Sequence, residues 1–276
     1  MTGTLFVVAT PIGNLEDITY RAVRVLGEVD LIAAEDTRHS RKLLDHYGIQ
    51  TPLISYHDHN EVTRSEHLLV RLLADESIAL ISDAGTPCIA DPGYQLINRC
   101  HQQRIPVVGI PGPVALVTAL AIAGLPTESF RFLGFLPAKM QARRKVFELV
   151  RMDRTTLVCY ETPHRLLSAL KDMLELFGED RQMAIARELT KRHEELFRGS
   201  VGEALAEFSR RPAIKGELVL IIAPPPAQPA ALSVRASLQQ LRAETDLSWK
   251  QIVKQVAREQ GVPGSDVYRE SLELRK

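Results

Sequence analysis

Short apolar runs recur along the first half of the chain, each separated from the next by room for one helix. LFVVA (5–9), DLIAA (30–34), PLIS (52–55), IALIS (78–82) and PVVGI (106–110) are too short for helices, and most are rich in β-branched residues. They read as strands. The stretches between them carry helical patterns: one opened near Asp17 or Thr19, one from about Thr37, one ending near Ala74 and one from about Pro92 to Gln102. VALVTALAIAG (114–124) is apolar all round, as a buried core helix would be. Strands alternating with helices predict βαβ units and a mainly parallel sheet, whose ligands sit beyond the carboxyl ends of the strands.

The second half changes texture. RFLGF (131–135), a basic helix, TTLVCY (155–160), a helix opened by Pro163, QMAIARE (182–188), ELFRG (195–199) and GELVLII (216–222) put strands closer together. The expectation is an α/β protein of two α/β domains, the second with a mixed sheet. The boundary falls where Gly124 and Pro126 stop the helix, giving domains at 1–125 and 126–223. PPPAQPA (224–230) is too proline-rich for an element interior and reads as a linker. Beyond it, 231–276 form a small helical appendage in which Leu241, Ile252, Val256 and Val267 mark apolar faces and Gly261-Val262-Pro263 breaks two helices, a helix-turn-helix-like pattern. RNA contact and packing in a dimer are both open to it.

Composition narrows the class. The 276 residues carry 34 basic and 34 acidic side chains, so a generally basic, histone-like binder of nucleic acid is excluded and any polyanion must be met by a local patch. Cys88, Cys100 and Cys159 show neither CxxC spacing nor nearby histidine pairs, so neither a disulfide framework nor a metal site is expected. A reducing cytoplasm is the simplest setting. The start, MTGTLFVVATPIG, reads as a first strand rather than a leader. The uncharged stretch from Ile105 to Thr127 is broken by Pro106, Gly109, Pro111, Gly112 and Pro113, so it is not expected to cross a membrane.

Chemistry gathers at three strand-end loops: Ala9-Thr10-Pro11-Ile12-Gly13-Asn14, Ser82-Asp83-Ala84-Gly85-Thr86-Pro87 and Gly109-Ile110-Pro111-Gly112-Pro113. Asp83 is placed to accept hydrogen bonds from a ligand, although Asp and Gly also simply form turns. The first loop lacks G-x-G-x-x-G, and the chain has no P-loop, H-E-x-x-H or G-x-S-x-G. Pyrophosphate cradles, the glycine-rich loop of the usual Rossmann-type methyltransferase and the common hydrolase signatures are therefore absent.

Seven ordered blocks carry a specific resemblance: ATPIGNLEDIT (9–19), AAEDTRHS (33–40), SYHDHNE (55–61), SDAGTPCIADPG (82–93), GIPGPVA (109–115), GFLP (134–137) and YETPHR (160–165). Together they resemble the ribosomal RNA small subunit methyltransferase I proteins of the tetrapyrrole methylase-like superfamily. The resemblance implies two α/β domains of the tetrapyrrole methylase type, with S-adenosylmethionine in the cleft between them. It further implies a homodimer and methyl transfer to a cytidine ribose 2′-hydroxyl in small-subunit (16S) ribosomal RNA, within the 30S subunit. Carried over block by block, it puts Ile12, Asp83, Thr86, Val114, Ala115, Tyr160, Ala186 and Gly216 around the cofactor. Methylation of a tetrapyrrole or a modified protein side chain, or a noncatalytic RNA-binding assembly role, are the alternatives.

A ribose hydroxyl is a weak acid, so a positioned base or cation would help. Glu35, Asp36 and Arg38 after the second strand, and Glu188 and Lys191 after the AIA strand, are the candidates; sequence does not choose among them, and Asp36 also fits a helix cap. From Arg131 to Arg154, seven basic residues outnumber Glu148 and Asp153, with Lys139, Arg143, Arg144 and Lys145 as the expected phosphate contacts. His57, His59 and His101 read as polar turn or surface residues.

Overall fold

The computed structural model describes residues 2–226 and 232–275. Five strands build the first sheet: β1 (Leu5–Val8), β2 (Leu31–Ala34), β3 (Leu53–Ser55), β4 (Ile78–Ile81) and β5 (Val107–Ile110). All pairings are parallel, in the order β3-β2-β4-β1-β5. Central β4 is buried along its whole length, which explains its uninterrupted IALI run.

Helices cover both faces. On one, α1 (Tyr20–Glu28) and α2 (Thr37–His46) pack Val25, Leu26 and Leu44 against Val8, Ala79 and Ile81. On the other, α3 (Glu61–Leu73) and α4 (Tyr94–Gln102) pack Leu68, Leu72, Leu96 and Cys100 against Leu5, Ile78 and Leu80. The chain thus leaves β1 for a helix on one face and leaves its neighbour β4 for a helix on the other. Their carboxyl-end loops diverge and open the crevice that such sheets use for ligands.

The second sheet orders β6 (Phe130–Phe135), β7 (Thr156–Glu161), β10 (Leu218–Ile222), β8 (Gln182–Arg187) and β9 (Glu195–Ser200) as β6-β7-β10-β8-β9. Only β6–β7 is parallel, so the sheet is mixed as its texture predicts. One face is covered by α6 (Met140–Val150), α7 (Pro163–Phe177) and α8 (Val201–Ser209), around Phe147, Leu166, Leu170, Phe208 and Leu220. The opposite face receives α5 (Ala115–Ala123), whose Leu116, Ala119, Leu120 and Ala123 pack with Val158, Ala184, Ala186, Val219 and Ile221. That packing accounts for one side of the helix, while Val117, Ala121 and Ile122 are exposed. Although α5 precedes the expected boundary at 125, its packing belongs to the second sheet, and both sheets form one compact unit through Pro224.

A separate unit, from Pro225, holds α9 (Val234–Glu244), α10 (Trp249–Gln260) and α11 (Gly264–Glu273) around Leu238, Ile252, Val256 and Val267. Gly261 ends α10 in the left-handed conformation, at φ +63°, where the sequence places the break. Of the proline-rich linker, 227–230 lie outside the described residues. No helix among the described residues is long and apolar enough to cross a membrane.

Candidate active site

Backbone bonds lace the strand-end loops of the first sheet together. Thr10 and Gly85 exchange N–H···O bonds of 2.8 and 3.0 Å, the buried Thr10 hydroxyl donates to Ser82 O at 3.1 Å, and the Thr86 hydroxyl donates to Pro113 O at 3.2 Å. Gly112 approaches so closely that a Cβ there would lie 2.9 Å from that of Ala9. These contacts hold the three loops as the floor of a cavity of about 460 Å³. That volume suits one cofactor-sized ligand.

All eight residues expected around the cofactor line this one cavity: Ile12, Asp83, Thr86, Val114 and Ala115 from the first sheet's loops and α5, and Tyr160, Ala186 and Gly216 from the second lobe. Tyr160 is fixed edge-on between Phe132 and Phe135, at centroid distances of 5.0 and 5.3 Å. Gly216 has φ +92°, and a Cβ would drive into the Glu188 side chain at 2.3 Å. Only glycine keeps this wall where it is.

The catalytic candidates divide. Glu35 lines the cavity; burial pushes its carboxyl up, as does the charge of Asp83, while the Asp83 N–H, 3.4 Å from Oε2, opposes the shift. Asp36 does not line it. Its side chain caps α2, accepting the Arg38 N–H at 2.8 Å, and its other oxygen pairs with the exposed Arg38 guanidinium at 2.8 Å, which holds the carboxyl well below its usual range. Helix capping accounts for both residues. Glu188 and Lys191 are paired at 2.9 Å beside the cavity wall, with Glu217 at 3.1 Å from the same ammonium. Burial raises Glu188, but Lys191 and the Glu217 N–H outweigh it and the carboxyl ends below its usual value. The Lys191 stem lies so close to Gly13 that a Cβ there would sit 2.5 Å from Cγ, which joins the second lobe to the first loop.

The basic helix needs correction. Arg143 faces inward with Phe147 and Val150, is 2% exposed, and donates through Nε to Asp172 at 2.8 Å. Arg144 holds the other oxygen of Asp172 at 2.7 Å and Glu175 at 2.6 Å. A buried carboxylate on α7 claims these guanidiniums, so Arg143 is not available to a phosphate. Lys139 and Lys145 are exposed.

Sequence reasoning missed Asp91, Glu161 and Glu217, which also line the cavity. The Glu161 side chain is fully buried; Oε1 accepts from the Thr162 N–H at 2.7 Å and Arg165 Nε at 2.8 Å, and Oε2 has no partner among the described residues. Asp91 and Glu161 both stand within quoted blocks, SDAGTPCIADPG and YETPHR, so the signal was present without a geometry to read it.

Two α/β lobes meeting at a ligand cavity on strand-end loops define a cofactor-binding enzyme of the doubly wound kind. The family model for Tetrapyrrole (Corrin/Porphyrin) Methylases matches residues 4–205. Proteins named ribosomal RNA small subunit methyltransferase I are 47% identical in Halalkalibacterium halodurans, covering 96% of this chain and 93% of theirs, and 46% identical in Synechocystis, covering 99% and 98%. Among solved structures, diphthine synthase superposes with a TM-score of 0.62 at 12% identity over 80% of this chain and 90% of its own. The methyltransferase CobJ gives 0.61 at 17% over 81% and 95%. The chain belongs to the tetrapyrrole methylase family and, within it, to the ribosomal RNA small subunit methyltransferase I proteins. S-adenosylmethionine is the cofactor of this family.

Proposed function

We propose that the protein methylates a cytidine ribose 2′-hydroxyl of small-subunit ribosomal RNA, within the 30S subunit and in the cytoplasm. The near-full-length identity to proteins named for small-subunit rRNA methylation carries this reading. The cavity's chemistry fits the cofactor: Ile12, Val114, Ala115, Ala186, Leu189 and Val219 offer apolar faces to an adenine ring, and Glu35 and Asp83 offer carboxylates to a cation. Bound there, S-adenosylmethionine supplies an electrophilic methyl group on a positively charged sulfur.

This chain's residues then do three things. Asp83, at the end of β4, anchors polar groups of the cofactor, the Gly85–Thr86 and Val114–Ala115 backbones fix its orientation, and the second-lobe wall excludes water from the reacting atoms. Alignment of the incoming hydroxyl then contributes much of the rate. A homodimer belongs to the same reading, as the family resemblance implies.

The test is transfer of labelled methyl from S-adenosylmethionine to undermethylated 30S subunits, free rRNA and a precorrin in parallel, followed by nucleoside analysis. Ribose-methylated cytidine from 30S or rRNA is expected. Label only in the tetrapyrrole, or RNA binding with no transfer, would overturn the reading.

A further inference from the structure

Five carboxylates line the cavity; Glu161 is held through Oε1 by the Thr162 N–H and Arg165, Glu217 reaches Lys191, and two more are committed to the fold. Asp83 Oδ1 accepts the Asp36 N–H at 2.9 Å, and Glu35 faces the Asp83 N–H, so these two tie the ends of β2 and β4 together. Asp91, at the far end of the loop after β4, accepts no backbone N–H among the described residues, which leaves its lone pairs for a ligand's donor. The loop is built in an unusual way to put it there. Cys88 and Ala90 both take left-handed backbone conformations, at φ +71° and +70°, although neither is glycine. Gly93, at φ +141°, lets the chain fold back so tightly that a Cβ would lie 2.5 Å from Cys88 Sγ and 2.9 Å from Leu80. Backbone strain of this kind persists where the surroundings over-determine it, and it collects at functional sites.

Resting on the ribose-methylation reading, we infer that Asp91 accepts the proton of the substrate hydroxyl. As the hydroxyl oxygen bonds to the methyl carbon, the carbon–sulfur bond breaks with its electron pair left on sulfur. The hydroxyl proton passes to the Asp91 carboxylate and later to solvent.

The charges around Asp91 suit this task. Burial pushes its carboxyl up to about 6, helped by Glu35 from the end of β2, Asp83 from the end of β4 and Asp58 from the loop after β3, against the opposing Ser82 hydroxyl. Tyr160, on β7 in the same cavity, has its phenol raised by burial and, less, by the Asp91 charge. A carboxylate near 6 is ionised at neutral pH and a stronger base than an ordinary aspartate, the balance that general-base catalysis favours.

The experiment is single-turnover methyl transfer to 30S subunits from pH 5 to 8, with cofactor and RNA saturating. The wild-type rate is expected to rise with pH along one limb whose midpoint lies between about pH 5 and about 6, since the bound cation opposes the carboxylates' mutual repulsion. Asp91→Asn is expected to lower the plateau by about 10²–10⁴ and to abolish the limb. Calorimetry with S-adenosylhomocysteine should show affinity held within about threefold, the mark of a group acting on the step and not on binding. A flat wild-type profile, an Asp91→Asn rate within about threefold of wild type, or a loss confined to cofactor affinity would each overturn the assignment. The wild-type profile needs no variant, so a flat profile overturns the assignment even if Asp91→Asn misfolds. Nucleoside analysis of the wild-type product separates the two claims: methyl on a base overturns the proposed function, whereas ribose methylation with a fully active Asp91→Asn overturns only the role of Asp91.

Discussion

At the residue scale, one substitution isolates the cofactor site. Asp83 stands at a strand end with one oxygen already held by the Asp36 N–H, so replacing it removes a ligand partner and loosens the β2–β4 tie together. Asp83→Ala is expected to weaken S-adenosylmethionine binding at least tenfold, about 1.4 kcal/mol, and to lower the thermal unfolding midpoint through the lost tie while the protein stays folded; unchanged affinity by calorimetry would exclude the anchor. Six of the eight expected cofactor positions, all but Ala186 and Gly216, were legible because they stand inside the ordered blocks that carry the resemblance. Asp91 was not, because its distinction lies in what it lacks. A missing backbone partner is a fact of three dimensions. Asp36 shows the converse: spacing alone gave it equal standing with Glu35, and only the cap geometry tells a carboxylate holding a helix from one facing a ligand.

Elements decide what charges are for. Along α6 a running count of basic residues treats Arg143 and Lys145 alike, yet Phe147 and Val150 lie four and seven positions after Arg143 and turn it toward the core. Arg143→Ala is expected to destabilise the protein by about 3 kcal/mol, the low end for breaking a buried pair because Arg144 still holds one oxygen of Asp172; chemical denaturation measures it. Its loss of RNA binding should follow its loss of fold. The phosphate-contact idea moves to Lys139→Ala/Lys145→Ala, which should flatten the slope of log affinity against log salt by roughly 1.4–1.8 without changing cofactor affinity.

On the second sheet, Arg211 holds Glu195 of β9 through both guanidinium arms, one at 2.9 Å, and Arg187 of β8 adds a bond at 2.8 Å. The Glu195 carboxyl is pulled down to about 2, chiefly by Arg211. A depressed carboxylate contributes stability that is present above its unfolded value and lost as pH falls toward the folded one. Between pH 5 and 2 the wild type should therefore lose stability more steeply than Glu195→Gln, and acid titration followed by circular dichroism compares the two slopes.

For the whole molecule, alternating texture predicted both sheets and the change from parallel to mixed, because parallel neighbours need a helix-length crossover between them whereas antiparallel strands can follow one another closely along the chain. Gly124 ends α5 where the sequence stops that helix, whereas both sheets lie in one compact unit through Pro224. What no local signal carries is which sheet an all-apolar helix serves, since hydrophobicity all round is compatible with either. That α5 packs on the second sheet has a practical consequence for dividing the chain into fragments. A fragment begun at residue 126 strips the cover from Val158, Ala184, Ala186, Val219 and Ile221, and is expected to aggregate and to bind a hydrophobic dye. One begun at Val114, with the same carboxyl end, carries its own cover and should remain dispersed. Any split reporter, permuted variant or chimaera made from this scaffold should accordingly be cut on the amino side of α5, within the Pro111–Pro113 turn, twelve or so residues before the point that inspection of the chain alone would choose.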